Sequence, residues 1–362
     1  MTLTEKLDAV IDAALDGRIV GCVVLVRQEG RLVYSRAAGL ADREQHVAIK
    51  EDTIFRLASV TKPIVAATAL RMIDLGLLSL DGKVATYLPY FTPKTPDGST
   101  PEITIRHLLT HTSGITYDSP PADVSRGADP CEAMPLTENM RRLARGTLAF
   151  APGAAWQYGM SIDLLGAVLS AINKSDLEGV VAKYVTEPLH MDDTHFFVTD
   201  KSRLAVPYGD GKERPFRMAE PQPIENDDGK VEVFSPKRIF QADRPQSGGA
   251  GMAGTARDFM KLLEALRGGF LKPETRDAAF ANQIGALTRE DAGQKFGLIG
   301  AVIDDPQASG WRIRGLIHWG GIWGNNWILE PKSGTSVVVY TNTMREGCNG
   351  PFREEVRDAI FA

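Results

Sequence analysis

The chain has 362 residues, 43% hydrophobic and 24% charged, enough to bury a large core as one big domain or two interleaved units. Forty-one basic against forty-six acidic side chains leave a formal charge of −5, which offers no attracting field to nucleic acid or to an anionic membrane surface. Three scattered cysteines (Cys22, Cys131, Cys348) and six histidines without an HExxH pattern fit neither a disulfide framework nor a metal site, so no cofactor or metal is expected.

Over residues 1–17, Leu3, Leu7, Val10, Ile11, Ala14 and Leu15 recur at helical spacing while Glu5, Asp8 and Asp12 interrupt the apolar run, which predicts an amphipathic helix rather than a signal peptide. No uncharged stretch approaches a membrane-spanning length; a cytoplasmic protein is expected. Residues 20–26 and 31–36 are β-rich runs joined at Glu29-Gly30, a hairpin signal, and Cys22 in the first run reads as core filling. Residues 59–75 carry Ile64, Ala67, Leu70 and Leu75 in a helical pattern, and residues 161–172 place Ile162, Leu165, Leu169 and Ile172 on one face, with Ser161 as a plausible N-cap. Between and after these helices, residues 117–150 and 198–246 are rich in Pro, Asp and Gly, and long irregular segments in compact proteins form binding walls or lids. Thr255 and Asp258 make a capping-box-like start for the helix FMKLLEAL, which ends at Gly268-Gly269. Residues 327–330 and 335–342 are β-rich runs around the turn Pro331-Lys332-Ser333-Gly334, followed by a short helix from Pro351.

Strands at both ends, each flanked by a helix, predict one antiparallel sheet with terminal helices on its face. The fold class is α/β (α+β), with residues 1–58 and 246–362 forming the sheet unit and residues 59–245 a mainly helical lobe.

Ser59-Val60-Thr61-Lys62 is S-x-x-K. One helical turn sets the lysine beside the serine hydroxyl, and the unpaired N–H groups of the first turn face a developing oxyanion. Pro63 is tolerated there because early helical amides lack partners anyway. Alone the motif is weak, arising about once by chance in a chain of this length. The alternative is a capped helix with a surface lysine.

The context decides between them. F-R-L-A-S-V-T-K-P at residues 55–63 and L-L-T-H-T-S-G at 108–114 resemble the serine β-lactamase superfamily, in its class C and carboxylesterase branches. In the same order follow P-G-x-x-W-x-Y at 152–158, the glycine turn ending in G-A-G-M at 249–252, and W-G-G-I-W-G at 319–324. The resemblance covers roughly residues 5–360, and several ordered motifs are far more specific than any one. It implies a β-lactamase/transpeptidase-like fold and a serine hydrolase forming an acyl-enzyme at Ser59. Lys62 is its implied activator, and Tyr158 relays the serine proton and later helps deprotonate water. A phenol with its ordinary pKa of about 10 is a poor base at neutrality unless a cation stabilises its anion, a task that falls to Lys62. The resemblance further implies an oxyanion hole from the amides of Ser59 and Ile322, with Gly320 and Gly321 letting substrate approach the strand closely.

Two departures bear on the substrate. The β-lactamase pattern Y-x-N is replaced by Tyr158-Gly159-Met160, which trades an amide for apolar contact from Met160. Trp319 stands in place of the lysine of K-T-G and cannot pair with a penicillin carboxylate. Both favour a neutral small-molecule ester, of short or medium acyl chain, over a β-lactam. His318-Trp319-Gly320 also fits H-x-G, but neighbours on a strand point to opposite sides, and the spacing W-G-G-x-x-G favours Trp319 as the residue facing the site. His111 resembles part of a structural motif rather than a Ser-His partner, and G-x-S-x-G, the nucleophile elbow of α/β-hydrolases, is absent.

The other readings are a β-lactamase or D-amino-acid peptidase, with a cation supplied by Arg126, Lys237 or Arg244; an acyltransferase; and a non-catalytic penicillin-binding-like protein. The intact Ser59, Lys62 and Tyr158 weigh against the last.

Overall fold

Both ends of the chain are β-rich, and they meet in one sheet. The computed structural model describes residues 1–362 except 119, 199, 227–228 and 362. The sheet comprises β1 (Gly21–Gln28), β2 (Arg31–Asp42), β3 (Val47–Ala48), β4 (Gln294–Phe296), β5 (Ala301–Ile303), β6 (Ile317–Gly321), β7 (Asn325–Glu330) and β8 (Thr335–Thr341). Their order in space is β4-β5-β6-β7-β8-β1-β2-β3, all pairs antiparallel. Five principal helices accompany it: α1 (Leu3–Leu15), α2 (Thr61–Asp74), α3 (Ser161–Asn173), α4 (Ala256–Gly268) and α5 (Pro351–Phe361).

Strand alternation sorts the apolar side chains onto two faces. Cys22, Val24 and Val26 of β1 join Leu7, Ile11, Phe352 and Val356 of α1 and α5. Val23 and Leu25 point the other way, into the larger core with Phe259 and Leu263 of α4 and the residues of α2 and α3. Because both faces are covered, β1 and β8 read as unbroken apolar runs rather than as alternating strands. The β1–β2 hairpin turns through Glu29 and Gly30, at φ 50° and 77°, the left-handed pair that tight hairpins require.

Local sequence sets the helix ends. Thr2 and Glu5 cap α1 reciprocally; the Thr255 side chain accepts from the Asp258 amide at the start of α4, and Gly269, at φ 105°, ends it. The expected N-cap of α3 is displaced by one residue. The cap is Met160, Ser161 is the first helical residue, and its hydroxyl is engaged with Ser113 Oγ at 2.8 Å.

The middle of the chain is less exclusively helical than expected. Residues 117–150 contain the helix Leu136–Leu143, whose Met140 and Leu143 are buried. Residues 198–246 contain a hairpin of Gln222–Glu225 with Val231–Phe234 and a shorter pairing of Tyr208–Gly209 with Phe216–Arg217. All three cysteines are free thiols; burial pushes Cys22 and Cys348 each up to about 12, leaving them inert. Among the described residues no helix is long and apolar enough to cross a membrane.

Candidate active site

The strand Ile54–Arg56, paired with Ala253–Thr255, feeds a 3-10 turn at Ala58–Val60 that runs directly into α2. Ala58 is buried at φ 44°, a conformation that costs a non-glycine residue on the order of 1–2 kcal/mol and persists where surrounding structure over-determines it. The turn carries Ser59 out of the core to the wall of a cleft of about 490 Å³. One helical turn on, buried Lys62 donates from Nζ to Ser59 Oγ at 3.1 Å, to the Gly249 carbonyl at 2.7 Å and to the Tyr117 hydroxyl at 3.3 Å. Gly249 must be glycine: a Cβ there would lie 2.3 Å from Asp163 Oδ2 and 3.3 Å from Lys62 Nζ. Asp163 is therefore a buried carboxylate close to the lysine. Burial raises its pKa, while Lys62 and the Ser247 hydroxyl pull the other way.

Tyr158 lines the same cleft as Ser59, with Lys62 Nζ 4.6 Å from its ring centre. The Trp319 indole N–H donates to the Tyr158 hydroxyl at 3.3 Å, and the two rings lie 5.1 Å apart. Strand parity accounts for this contact. Ile317 and Trp319 face the larger core, whereas His318 turns to the opposite side, stacks on Trp311 at 3.9 Å and bonds Gln294 at 3.1 Å. Burial holds the His318 imidazole well below its ordinary pKa, with Arg353, Arg289 and Arg357 adding to the effect. His111, in left-handed backbone at φ 56°, packs its buried ring 4.8 Å from that of Tyr158. Burial, then Lys62 and Arg289, keep it neutral.

Sequence reasoning missed Tyr117. Its hydroxyl bonds Lys62, its ring lies 5.6 Å from Tyr158, and burial pushes its phenol well above the ordinary value, so it stays protonated. The available signal was its position three residues beyond Gly114, at the start of a segment read as a binding wall.

Ile322 lines the cleft with Ser59, but the four expected substrate contacts, Met160, Trp319, Gly320 and Gly321, are not on its wall; Trp319 lies behind Tyr158, beside a small separate cavity with Lys62, His111 and Phe296. Met160 is fully buried in the larger core, because the backbone approach of Gly159 to Ile115 and Thr116 turns the following side chain inward. Gly320 and Gly321 accommodate the protein rather than a ligand. A Cβ on Gly321 would meet the Leu57 carbonyl at 2.1 Å, and one on Gly320 would meet Cys348 Sγ at 3.0 Å. Gly321 docks β6 against the Leu57–Val60 turn that carries Ser59, which brings Ile322 to the same cleft. Of the three cations considered, Arg126 lies on the wall of the Ser59 cleft, while Arg244 lines a separate cavity with Arg238. Lys237 is outside the cleft lining, its amide bonded to Glu220 Oε2 at 2.5 Å.

An antiparallel sheet with flanking helices, a strained turn presenting a serine, and a buried lysine one turn later define a serine hydrolase with a β-lactamase-type fold. Residues 7–359 match the Beta-lactamase family model, and the chain belongs to that family. It is 44% identical to the esterase EstB of Burkholderia gladioli, covering 100% of this chain and 96% of that one. It is 28% identical to a lovastatin esterase of Penicillium rubens over 90% of each chain. Among solved structures, EstCE1, a hydrolase with promiscuous acyltransferase activity, superposes with a TM-score of 0.95 at 37% identity, covering 99% of this chain and 98% of that one. Simvastatin synthase of Aspergillus terreus superposes at 0.74 with 25% identity, covering 100% and 98%.

Proposed function

We propose that the chain is a carboxylesterase that passes through an acyl-enzyme at Ser59, acting on small-molecule esters of short or medium acyl chain in the cytoplasm. The observation that carries this reading is the hydrogen bond from buried Lys62 Nζ to Ser59 Oγ at 3.1 Å, with Ser59 and Tyr158 on the wall of one cleft. The Ser59 hydroxyl loses its proton to the unit formed by Lys62 and Tyr158 as Oγ attacks the ester carbonyl; the oxyanion is held by the amides of Ser59 and Ile322; the alcohol leaves with that proton. Water then repeats the sequence in reverse on the acyl-serine. The site lies at the junction of two interlocked units, residues 1–58 with 246–362 and residues 59–245.

The preference for esters rests on Trp319 standing where a β-lactamase carries a cation, its indole N–H spent on the Tyr158 hydroxyl. With purified protein, kcat/KM for p-nitrophenyl butyrate is expected to exceed that for the β-lactam nitrocefin by at least about 10²-fold, the scale set by an unpaired polar group in the site. A comparable nitrocefin value would reassign the chain to β-lactam hydrolysis, with Arg126 on the cleft wall as the carboxylate partner. A second reading, acyl transfer to an alcohol, is supported by the 37% identical neighbour that combines hydrolase and acyltransferase activity.

Trp319→Ala is expected to lower kcat/KM for esters several-fold, since it removes the N–H donor and the ring that hold Tyr158 in place. His318→Gln is expected to leave both kcat and the pH profile of kcat/KM unchanged. Burial holds that imidazole well below its ordinary pKa, so it is neutral throughout the working range and has no ionisation there to lose. A neutral-range ionisation that disappears in His318→Gln would show that His318 serves the site.

A further inference from the structure

Arg289 has no place in the chemistry above, and its surroundings are unusual for a guanidinium. The side chain is 2% exposed, enclosed by the rings of Trp156, Trp319 and Phe296 at 4.6, 5.3 and 5.5 Å from Cζ. It donates to Asp291 at 2.7 Å, to Gln294 Oε1 at 3.2 Å and to the Lys295 carbonyl at 3.3 Å, while Nε has no partner. Asp291 is 58% exposed, so water screens most of what it could return. A buried cation is expensive even when ring faces compensate it; an aliphatic side chain would fill the same space more cheaply. The charge therefore calls for a role, and Trp319, which it stacks against, donates to the Tyr158 hydroxyl.

We propose that Arg289 is a positioning residue for the ester hydrolysis: its guanidinium clamps Trp319 against the Tyr158 hydroxyl and presents a second positive charge, after Lys62, to that phenol. The assignment rests on Tyr158 acting as the proton relay. The groups facing Tyr158 come from several elements. Lys62 of α2 lies over the ring, with Asp163 of α3 behind that lysine. His111 and Tyr117 pack on the ring, and Arg126 and Glu232 act on Tyr117 from the cleft wall. His111 is neutral and Tyr117 protonated, which leaves Lys62 and Arg289 as the cations bearing on the phenol among these groups. Burial pulls the Arg289 guanidinium down to about 10, against the upward pull of Asp291, Glu290 and Tyr158.

The sign of the effect follows. A phenolate is stabilised by a nearby cation; withdrawing the cation moves the acidic limb of the rate profile to higher pH. The pH dependence of kcat/KM for p-nitrophenyl butyrate is to be measured in wild type, Arg289→Met, Arg289→Lys and Asp291→Asn. In Arg289→Met the limb is expected about one pH unit higher, a roughly tenfold loss near neutrality that is regained in alkali. Arg289→Lys keeps the charge and should keep the limb, and Asp291→Asn removes the countercharge and should lower it by a few tenths of a unit. An equal loss at every pH in Arg289→Met overturns the proposal, as does an unmoved limb. Should Arg289→Met not fold by circular dichroism, an upward shift in Arg289→Lys or no downward shift in Asp291→Asn overturns it instead. Absence of Ser59-dependent turnover in wild type would remove the hydrolase reading and this role together; an unmoved limb in active variants removes the role alone.

Discussion

Lys62→Ala is expected to lower kcat by about 10² or more, Tyr158→Phe by a similar factor, and the double variant to be scarcely slower than either single one. The single losses follow from what each group holds. Lys62 is the donor to the Ser59 hydroxyl, and the same ammonium ties Tyr117 and the Gly249 carbonyl into place. Its removal leaves the nucleophile without orientation and without a positive charge against which its proton can leave. Tyr158→Phe keeps the ring, its contacts with His111 and Trp319 and the shape of the cleft, but removes the oxygen of the proposed proton relay. Non-additivity follows because a relay is lost once: a phenol without its cation and a cation without its phenol are equally unable to take the serine proton. Losses that multiply in the double variant would show two independent contributions and contradict a coupled unit. Lys62→Ala carries a second consequence. Asp163 is buried, its other oxygen held by the Ser247 hydroxyl, and deleting the neighbouring cation removes an interaction that favours its charged form. Thermal unfolding should therefore show Lys62→Ala less stable than Tyr158→Phe.

The parts of the fold legible in the sequence are those where burial writes a short-range pattern. β1 and β8 stand out as apolar runs because both faces of the sheet are covered, and α1 because Leu7, Ile11 and Ala14 recur on one buried face. The hairpin Gln222–Glu225 with Val231–Phe234 reads as irregular because each strand has only four residues and Pro223 interrupts the first, too short a run for the Val-Glu-Val alternation to stand out in a Pro-, Asp- and Gly-rich segment. The site divides in the same way. Ser59 and Lys62 are one helical turn apart, and that proximity is a property of helix geometry alone. Tyr158 and Trp319 touch across 161 positions of sequence, and the ordered motifs rather than any spacing brought them together. Gly320 and Gly321 announce a close approach correctly, but glycine does not reveal what approaches, and here it is the Leu57 carbonyl and Cys348. Met160 was assigned to the cleft from its place after the tyrosine, whereas the tight packing of Gly159 sends it into the core. Arg289 stands in the charged run Arg289-Glu290-Asp291, which reads as a solvated loop; nothing local signals that Trp156 and Trp319, distant in sequence, close around it with Phe296.

Ser59→Ala is expected to reduce ester turnover by at least about 10⁴-fold, the scale on which an acylating serine and its activators are lost as a unit. Other nearby serines offer no substitute. Ser113 and Ser161 are buried against one another at 2.8 Å, and Ser247 is committed to Asp163, so none of them combines access to the cleft with a cation at its oxygen. Intact-mass analysis after exposure to a serine-directed phosphonate tests this most directly, because it reads the nucleophile without needing the natural substrate. Wild type is expected to gain one phosphonyl group, mapping by peptide mass to Ser59, and Ser59→Ala to gain none. A label that persists in Ser59→Ala, or that maps to any other serine of the wild type, would contradict the account.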